Sequence, residues 1–209
     1  MKFAFDISPL ISERIAVFPG DEPYIRKTSR DFQSHNILLS SIRSTVHLGA
    51  HGDAPNHYHP DGVGIDQVDL SYYYGDCQVI HLPVRHPDCR LTVADFQQYP
   101  ITAPRVLIAT HSYLDPEHWV DDFMAFSPEV IDFLAAQHVR LVGIDTPSVD
   151  PAPAKQLISH EAVATHKMAI LEGLVLHHVP AGNYQLMALP LKLQGADASP
   201  VRALLFEKG

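Results

Sequence analysis

Residues 47–59 read HLGAHGDAPNHYH and carry the most information about this chain. The stretch places four histidines and one aspartate within thirteen positions. An extended backbone would project from one face the side chains that share one parity, and these include His47, His51, Asp53 and His57. At about 3.3 Å per residue, an extended chain would separate His47 from Asp53 by about 20 Å, whereas two ligands of one ion each lie about 2 Å from it. Binding of one ion therefore requires a bend.

The residues between these side chains show where the bend is expected. Glycine adopts the necessary backbone angles at the lowest cost, and the stretch contains Gly49 and Gly52. Pro55 excludes a continuing helix, which disfavours a helical His-x-x-x-His pair. The spacing predicts a glycine-broken loop that follows a strand.

The ligand types favour a catalytic rather than a structural metal site. Three nitrogen and oxygen ligands from His47, His51 and Asp53 leave a fourth position open for water, whereas a structural zinc site closes with four protein ligands, often cysteines. The alternative is a histidine-rich surface loop that binds no metal. Spacing alone leaves both interpretations open.

A second pair of potential ligands follows at His160 and Glu172. Twelve helical steps of 100° leave them about 120° apart, so on one straight helix they could not share an ion. A break between Met168 and Glu172 is required for them to meet. The alternative is an exposed histidine in the first turn of a helix and a solvated glutamate.

Alternating and β-branched stretches outnumber helical ones, which predicts a mixed α/β chain with helices packed on a central sheet. The predicted strands are Phe3–Ile7, Ile37–Leu48, Cys77–Val84, Arg105–Thr110, Arg140–Asp145, Gly173–Val179, Tyr184–Leu193 and Val201–Phe206. The predicted helices are Thr92–Tyr99, Ser127–His138 and Ser159–Met168. Ser127 suits an N-cap and Pro128 the first helical position.

Length and composition predict one globular domain over residues 1–209, with 46% hydrophobic and 19% charged residues. The formal net charge of −9 argues against a nucleic-acid partner. Cys77 and Cys89 form neither a disulfide framework nor a four-cysteine zinc site. Neither an export signal nor a membrane span is expected, so the predicted location is cytoplasmic.

The two clusters together resemble the metal-dependent cyclase-like hydrolase family, and in particular its kynurenine formamidase branch. The family motif is His-x-Gly-(Thr/Ala)-His-x-Asp-x-Pro-x-His followed by an aromatic residue, which this chain matches from His47 to Tyr58. The resemblance spans nearly the whole chain, with further similar segments at Phe5–Pro9, Pro19–Asp21, Gly143–Ser148, Met168–Gly173 and Ala198–Ala203.

The resemblance implies a fold, a cofactor and an activity. The fold is α/β, a swivelling β/β/α domain with a mixed central sheet and few flanking helices. Two divalent ions per subunit, Zn²⁺ or alternatively Mn²⁺, are expected. The implied activity is hydrolysis of N-formyl-L-kynurenine to L-kynurenine and formate in tryptophan degradation, by a homodimer or larger homo-oligomer.

The resemblance also assigns roles to individual residues. His47, His51 and Asp53 would bind one metal ion, and Asp53 would bridge to a second ion held by His160 and Glu172. His57 would be the acid/base residue.

The chain departs from the formamidase pattern where Phe18 replaces a common tryptophan before Pro19. Phenylalanine keeps an aromatic face for the substrate ring but loses the indole donor. Trp119 and the run Tyr72–Tyr74 are alternative aromatic walls. The segment Lys155–Ser159 before the retained His160 also diverges.

Two other functions remain open at this point. One is a different hydrolase of the same family, such as an isatin hydrolase, and the other is a non-catalytic metal-binding protein. Only an enzyme requires His57 in addition to the metal ligands.

Overall fold

The computed structural model describes residues 2–208 and contains thirteen strands and three α-helices within that range. The strands are β1 Lys2–Asp6, β2 Ile25–Arg30, β3 Leu39–Arg43, β4 His51–Asp53, β5 Tyr74–His81, β6 Arg90–Leu91, β7 Arg105–Ala109, β8 Ala125–Phe126, β9 Leu141–Ile144, β10 Ala169–Glu172, β11 Gly182–Met187, β12 Ala198–Pro200 and β13 Leu204–Glu207. The helices are α1 Phe32–His35, α2 Pro128–Ala136 and α3 Ile158–Thr165, and 3-10 turns span Pro55–His57, Ile65–Gln67, Leu70–Tyr72 and Val93–Phe96.

Nine strands form one mixed sheet in the order β1-β13-β11-β5-β7-β9-β10-β4-β12. The strands β5, β7, β9 and β10 run parallel to one another, and the other pairs of this sheet are antiparallel. The pairs β2-β3 and β6-β8 form separate two-stranded sheets. This architecture confirms the predicted fold class.

The central strands are buried because both faces of the sheet are covered. On β7, Val106 and Ile108 point into the cluster that contains the helices, whereas Leu107 and Ala109 point into the opposite cluster. All four residues of β9 are buried as well. Strands buried on both faces are near-continuous apolar runs, which is why the sequence identified these two correctly.

Helix α2 begins where its sequence predicts. The Ser127 side chain accepts a hydrogen bond from the Val130 amide, and Pro128 occupies the first turn. Val130, Ile131 and Leu134 are fully buried against the sheet. None of the helices found between residues 2 and 208 has the length and hydropathy needed to cross a membrane.

Several predicted boundaries are wrong. The stretch Gly173–Val179 is a loop, because the chain turns at Gly173 with φ +64° and the strand lies before it, at Ala169–Glu172. Thr92–Tyr99 forms only a 3-10 turn over Val93–Phe96, and the following Pro100 disfavours helix at its predecessor. The strand predicted at Ile37–Leu48 ends at Arg43.

Two further predicted strands are shorter or displaced. The strand predicted at Tyr184–Leu193 ends at Met187, ahead of Pro190, which lacks the amide hydrogen that a sheet requires. The strand predicted at Val201–Phe206 is Leu204–Glu207, and a separate strand, Ala198–Pro200, precedes it. The prediction missed β2 because four of its six residues are Arg, Lys or Ser.

Candidate metal centre and cavity

Strand β4 carries His51 and Asp53 into the central sheet. It pairs with β10 on one side, with Glu172 opposite His51, and with β12 on the other. Successive side chains of a strand alternate between faces, so His51 and Asp53 project from the same face. The predicted loop is therefore wrong at these positions, although the shared face is confirmed.

A bend before β4 returns His47 to this face. Gly49 adopts a left-handed φ of +58°, and the Nδ1 atom of His47 lies 3.2 Å from Oδ1 of Asp53. The predicted bend at Gly49 is confirmed. Gly52 does not bend the chain but lies within β4, where an added Cβ would lie 3.1 Å from the Tyr73 ring.

His160 and Glu172 meet the first cluster from two different elements. Helix α3 ends at Thr165, and Glu172 is the last residue of β10, so the required break exists. The Nε2 atom of His160 lies 3.4 Å from Oδ2 of Asp53 and 3.6 Å from Oε1 of Glu172. Oε2 of Glu172 lies 3.1 Å from Nε2 of His51.

Gly173 allows the two clusters to approach each other. Its φ is +64°, and an added Cβ would lie only 2.1 Å from the carbonyl oxygen of Gly49. Only glycine fits this contact without displacing the segment that carries His47 and leads into His51. The same Gly49 oxygen accepts a hydrogen bond from Nδ1 of His51 at 2.9 Å.

Each histidine of the cluster has one ring nitrogen held by a neighbour. Nδ1 of His160 donates to Oδ2 of Asp150 at 2.8 Å, and Nε2 of His47 donates to Oδ2 of Asp197 at 3.0 Å. Holding one nitrogen fixes the ring and directs the lone pair of the other nitrogen inward. All three inward nitrogens lie within 3.5 Å of an Asp53 oxygen.

The sequence reasoning missed Asp150 and Asp197. Asp150 also accepts hydrogen bonds from the amides of Ser159 and His160, so it caps α3 while orienting His160. Asp197 is brought to the site by the bond from the Ala54 amide to its carbonyl oxygen. Neither aspartate lies at a ligand-like spacing from the histidines, and the contact of His47 with Asp197 spans 150 residues.

The centre of the cluster contains buried polar atoms without a protein partner. In the part of the chain that the structure describes, Nε2 of His51 and both carboxylate oxygens of Asp53 are buried and accept or donate no hydrogen bond. Buried charges of this kind are normally paired or bound to a metal ion. Two groups of ligand atoms each lie within 4.8 Å of one another, and both include Asp53: His51, Asp53 and Glu172, and His47, Asp53 and His57. The donor set fits divalent cations, which accept imidazole and carboxylate ligands.

Without a cation, the histidines compensate the charge of Asp53. Burial disfavours the charged form of His47, but the Asp53 carboxylate 3.2 Å away outweighs burial and raises the pKa of His47 to about 9. For His160, burial is likewise outweighed by the hydrogen bond to Asp150 and by the nearby Asp53 carboxylate, which raise its pKa to about 10. Burial opposes ionisation of Asp53, yet the close approach of His160 and His47 holds its pKa well below the usual range.

His57 lies beside this cluster in the 3-10 turn Pro55–His57, which explains how it reaches the same site. Its ring centroid lies 4.3 Å from that of His47, and its Nδ1 atom is 3.6 Å from Oδ2 of Asp197. Burial and the charge of His47 lower the pKa of His57, although Asp53 opposes the shift. The side chain is 29% exposed, so it borders both the cluster and solvent.

A cavity of about 440 Å³ opens above the cluster. The histidines and Glu172 form one end, and Phe18, Tyr113 and Trp119 line another part of the wall. The Phe18 and Trp119 rings meet edge to face at 5.0 Å between centroids. The side chains lining the cavity include no lysine or arginine among residues 2–208.

The structure shows which of the aromatic residues suggested for the substrate pocket line the cavity. Phe18 and Trp119 line this cavity, but the run Tyr72–Tyr74 does not: Tyr73 is fully buried beneath β4, and Tyr72 donates to the Lys167 carbonyl. Tyr113 was missed because a lone tyrosine gives no periodic or spacing signal. His177 also lines the cavity.

Comparison with known proteins assigns the family. Residues 5–151, more than half of the chain, match the model of the Cyclase family. A structure described as a potential metal-dependent hydrolase with cyclase activity has a TM-score of 0.84 and 29% identity, with 98% of each chain covered. A predicted metal-dependent hydrolase from Bacillus stearothermophilus has a TM-score of 0.82 and 29% identity, again with 98% of each chain covered.

A more distant structure shares the fold. Isatin hydrolase A from Labrenzia aggregata has a TM-score of 0.77 and 19% identity over 96% of this chain and 92% of its own. The chain therefore belongs to the Cyclase family and shares its fold with these hydrolases.

Proposed function

We propose that the protein is a metal-dependent amide hydrolase that cleaves N-formyl-L-kynurenine to L-kynurenine and formate. The observation that carries this proposal is the convergence of three histidines and Glu172 around the buried carboxylate of Asp53, at one end of a cavity with aromatic walls. A volume of about 440 Å³ lies within the usual range for small-molecule sites. We choose N-formyl-L-kynurenine as the substrate because the motif from His47 to Tyr58 is similar to that of kynurenine formamidases.

The resemblance assigns the metal ligands, and the histidine nitrogens that face Asp53 support that set of residues. His47, His51 and Asp53 would bind one divalent cation, and Asp53, His160 and Glu172 a second, with Zn²⁺ the first choice and Mn²⁺ the alternative. When bound, such cations lower the pKa of water and polarise a carbonyl group. Gly49, Asp150 and Asp197 orient the three histidines through their outer ring nitrogens.

His57 has the position of a general acid and base. Its lowered pKa keeps the imidazole neutral at pH 7, so it can accept a proton from the attacking water. It then returns that proton to the departing aryl nitrogen, which leaves poorly as an anion. Ligand atoms of His47, Asp53 and His57 lie within 4.8 Å of one another, so the metal content of a His57 variant separates the acid/base role from that of a ligand.

The aromatic side chains would hold the substrate ring. Phe18 and Trp119 form an edge-to-face pair on the cavity wall, and Tyr113 packs against Trp119 with 6.1 Å between ring centroids. Aromatic rings favour such offset and edge contacts with another ring.

Both cysteines are free thiols, which is in line with the cytoplasmic location that we infer.

The deciding experiment compares metal-stripped protein with and without added Zn²⁺, using N-formyl-L-kynurenine and isatin as parallel substrates. Zinc-restored cleavage of N-formyl-L-kynurenine is expected. Turnover of isatin alone would retain the site but replace the substrate. No turnover of either by metal-loaded protein would refute the proposal.

His57→Ala separates an enzyme from a non-catalytic metal-binding protein. We expect the variant to retain bound metal, measured by elemental analysis, and to lose kcat by a factor of about 10²–10⁴. His59→Ala, at an exposed histidine two residues away, is the matched control and should keep full activity. Loss of metal in His57→Ala would make His57 a ligand instead.

A further inference from the structure

Two adjacent residues hold both ligands that are assigned to the second metal ion alone. The Val149 amide donates a hydrogen bond to Oε1 of Glu172 at 2.7 Å, and Oδ2 of Asp150 accepts one from Nδ1 of His160 at 2.8 Å. The outer ring nitrogens of the other two histidines bond to different parts of the chain. Residues 149–150 therefore position the ligands of the second ion separately from those of the first.

The small sheet β6-β8 is bonded to this pair of residues. The Phe126 amide of β8 donates to the Val149 carbonyl at 3.1 Å, and the Ala125 amide donates to the Cys89 carbonyl at 2.8 Å, next to β6. The two strands have two residues each and lie outside the central sheet. Because so short a pair of strands is marginally stable by itself, its position against Val149 requires a further connection.

Arg90 of β6 supplies this connection through three charge-assisted hydrogen bonds. Nη1 donates to the Phe126 carbonyl at 2.7 Å and to Oγ of Ser159 at 2.8 Å, and Nη2 donates to Oδ1 of Asp150 at 3.0 Å. The Arg90 side chain is 16% exposed and that of Asp150 is 1% exposed, so solvent screens this ion pair only weakly. Since a guanidinium is planar and rigid, it fixes the three acceptors relative to one another.

Asp150 transmits the position of Arg90 to His160. Oδ1 of the carboxylate is bound by Arg90 and Oδ2 by the ring of His160, so rotation of the carboxylate would break one of the two bonds. Ser159, whose hydroxyl Arg90 also binds, directly precedes His160 in α3. Arg90 therefore restrains both the side-chain partner and the backbone of this ligand.

We propose that Arg90 is a positioning residue for the second metal ion. Through Asp150 it holds the ring of His160, and through β8 it holds the amide that binds Glu172. The inference rests on the metal ligands assigned under the proposed function, but not on the substrate. The alternative is a buried ion pair that only stabilises the fold. A positioning residue differs from it in one measurable respect, because it affects one of the two ions and not the other.

Arg90→Lys is the deciding variant, since lysine keeps the charge but its single nitrogen cannot hold the three acceptors as the guanidinium does. Competition with a chromophoric chelator gives the two Zn²⁺ dissociation constants. We expect one constant to rise about tenfold and the other to change by less than about twofold. The constant that rises should be the one that Asp150→Asn also raises. In the double variant the loss should be smaller than the product of the two single losses, because both substitutions act on one contact.

Arg105→Lys is the matched control for a buried arginine. Arg105 is 5% exposed and donates to the carbonyl oxygens of Ser71, Tyr72 and Asp76, which lie outside the segment that holds His160 and Glu172. Both lysine variants should lower the urea midpoint of the metal-free protein. Only Arg90→Lys should change a Zn²⁺ dissociation constant.

Ser159→Ala tests the same contact with less risk to folding. It leaves the guanidinium in place and removes one of its three acceptors. Because a single hydrogen bond is lost, we expect the same Zn²⁺ dissociation constant to rise by about two- to tenfold. This variant decides the question if Arg90→Lys does not fold.

Three results would overturn the role of Arg90. They are wild-type protein that binds a single Zn²⁺ ion, a folded Arg90→Lys or Ser159→Ala variant with both wild-type constants, and equal losses in Arg90→Lys and Arg105→Lys. Wild-type protein that binds two Zn²⁺ ions but cleaves neither N-formyl-L-kynurenine nor isatin refutes the proposed function instead. The zinc constants of the variants then still confirm or overturn the role of Arg90.

Discussion

Replacing Gly173 by alanine tests how the two halves of the metal centre are joined. The new Cβ would lie 2.1 Å from the Gly49 carbonyl oxygen, at a residue whose φ is +64°. A left-handed conformation costs a non-glycine residue about 1–2 kcal/mol. Relieving the overlap by moving backbone costs about 1–3 kcal/mol more. We therefore expect Gly173→Ala to lower the free energy of unfolding by about 2–5 kcal/mol.

The same substitution should weaken metal binding. The Gly49 oxygen that must move is also the acceptor for Nδ1 of His51, at 2.9 Å. Loss of a partner that orients a ligand histidine typically costs a factor of about 10–100 in metal affinity. Urea unfolding of metal-free protein measures the first effect, and competition for Zn²⁺ with a chromophoric chelator measures the second.

Gly195→Ala is the matched control for both measurements. Gly195 has nearly the same φ, +68°, but an added Cβ would meet no atom within 4 Å. It should therefore lose only about 1–2 kcal/mol and keep its affinity for Zn²⁺. If Gly173→Ala were no less stable than Gly195→Ala and bound Zn²⁺ equally well, the contact between Gly173 and the Gly49 loop would have no role in building the site.

Three further predictions concern the charges and contacts around the metal centre. Asp150→Asn should reduce Zn²⁺ affinity about 10–100-fold, because a neutral amide orients His160 less firmly than a carboxylate. The control is Asp132→Asn, which removes a similar contact at the surface, where Asp132 lies 2.7 Å from Nε2 of His166. It should leave the affinity unchanged in the same chelator assay. The raised pKa values of His47 and His160, about 9 and about 10, stabilise the metal-free protein fully below pH 6.5, and that contribution is lost as the pH rises through those values. The melting temperature in EDTA should accordingly fall between pH 6.5 and 9, and constant melting would contradict this assignment. Added Zn²⁺ should raise the melting temperature, and this stabilisation should be larger at pH 9 than at pH 6.5 because fewer protons then compete for the ligands. A stabilisation that decreases with pH would show that these histidines do not bind the ion.

Elements specified by neighbouring residues could be predicted. The runs Val106–Ala109 and Leu141–Ile144 are apolar throughout and form buried parallel strands, and the Ser127-Pro128 pair starts α2. Elements that depend on distant contacts could not. The apolar run after Gly173 has the composition of a strand, but it packs as a loop because the Gly49 loop lies against Gly173.

The same distinction applies to the candidate site. The ligand types and the need for a bend at Gly49 follow from residues 47–59, where all the information lies within thirteen positions. The partners that orient the ligands come from elsewhere. Asp150 is ten residues from His160 in the sequence, and Asp197 is 150 residues from His47. No known sequence spacing links an aspartate at such a distance to the histidine with which it forms a hydrogen bond.

By itself, the sequence determined the class of fold, the chemistry of the ligands and the requirement that His160 and Glu172 be separated by a break. These properties depend on residue type and short-range geometry. The tertiary structure alone decided that four ligand side chains converge on Asp53, that Phe18 and Trp119 share one cavity while Tyr73 is buried beneath the sheet, and that residues 25–43 are exposed along their whole length. Each of these features depends on contacts between residues that are far apart in the sequence. Such contacts form only when the whole sheet and the two hydrophobic clusters on its faces have assembled.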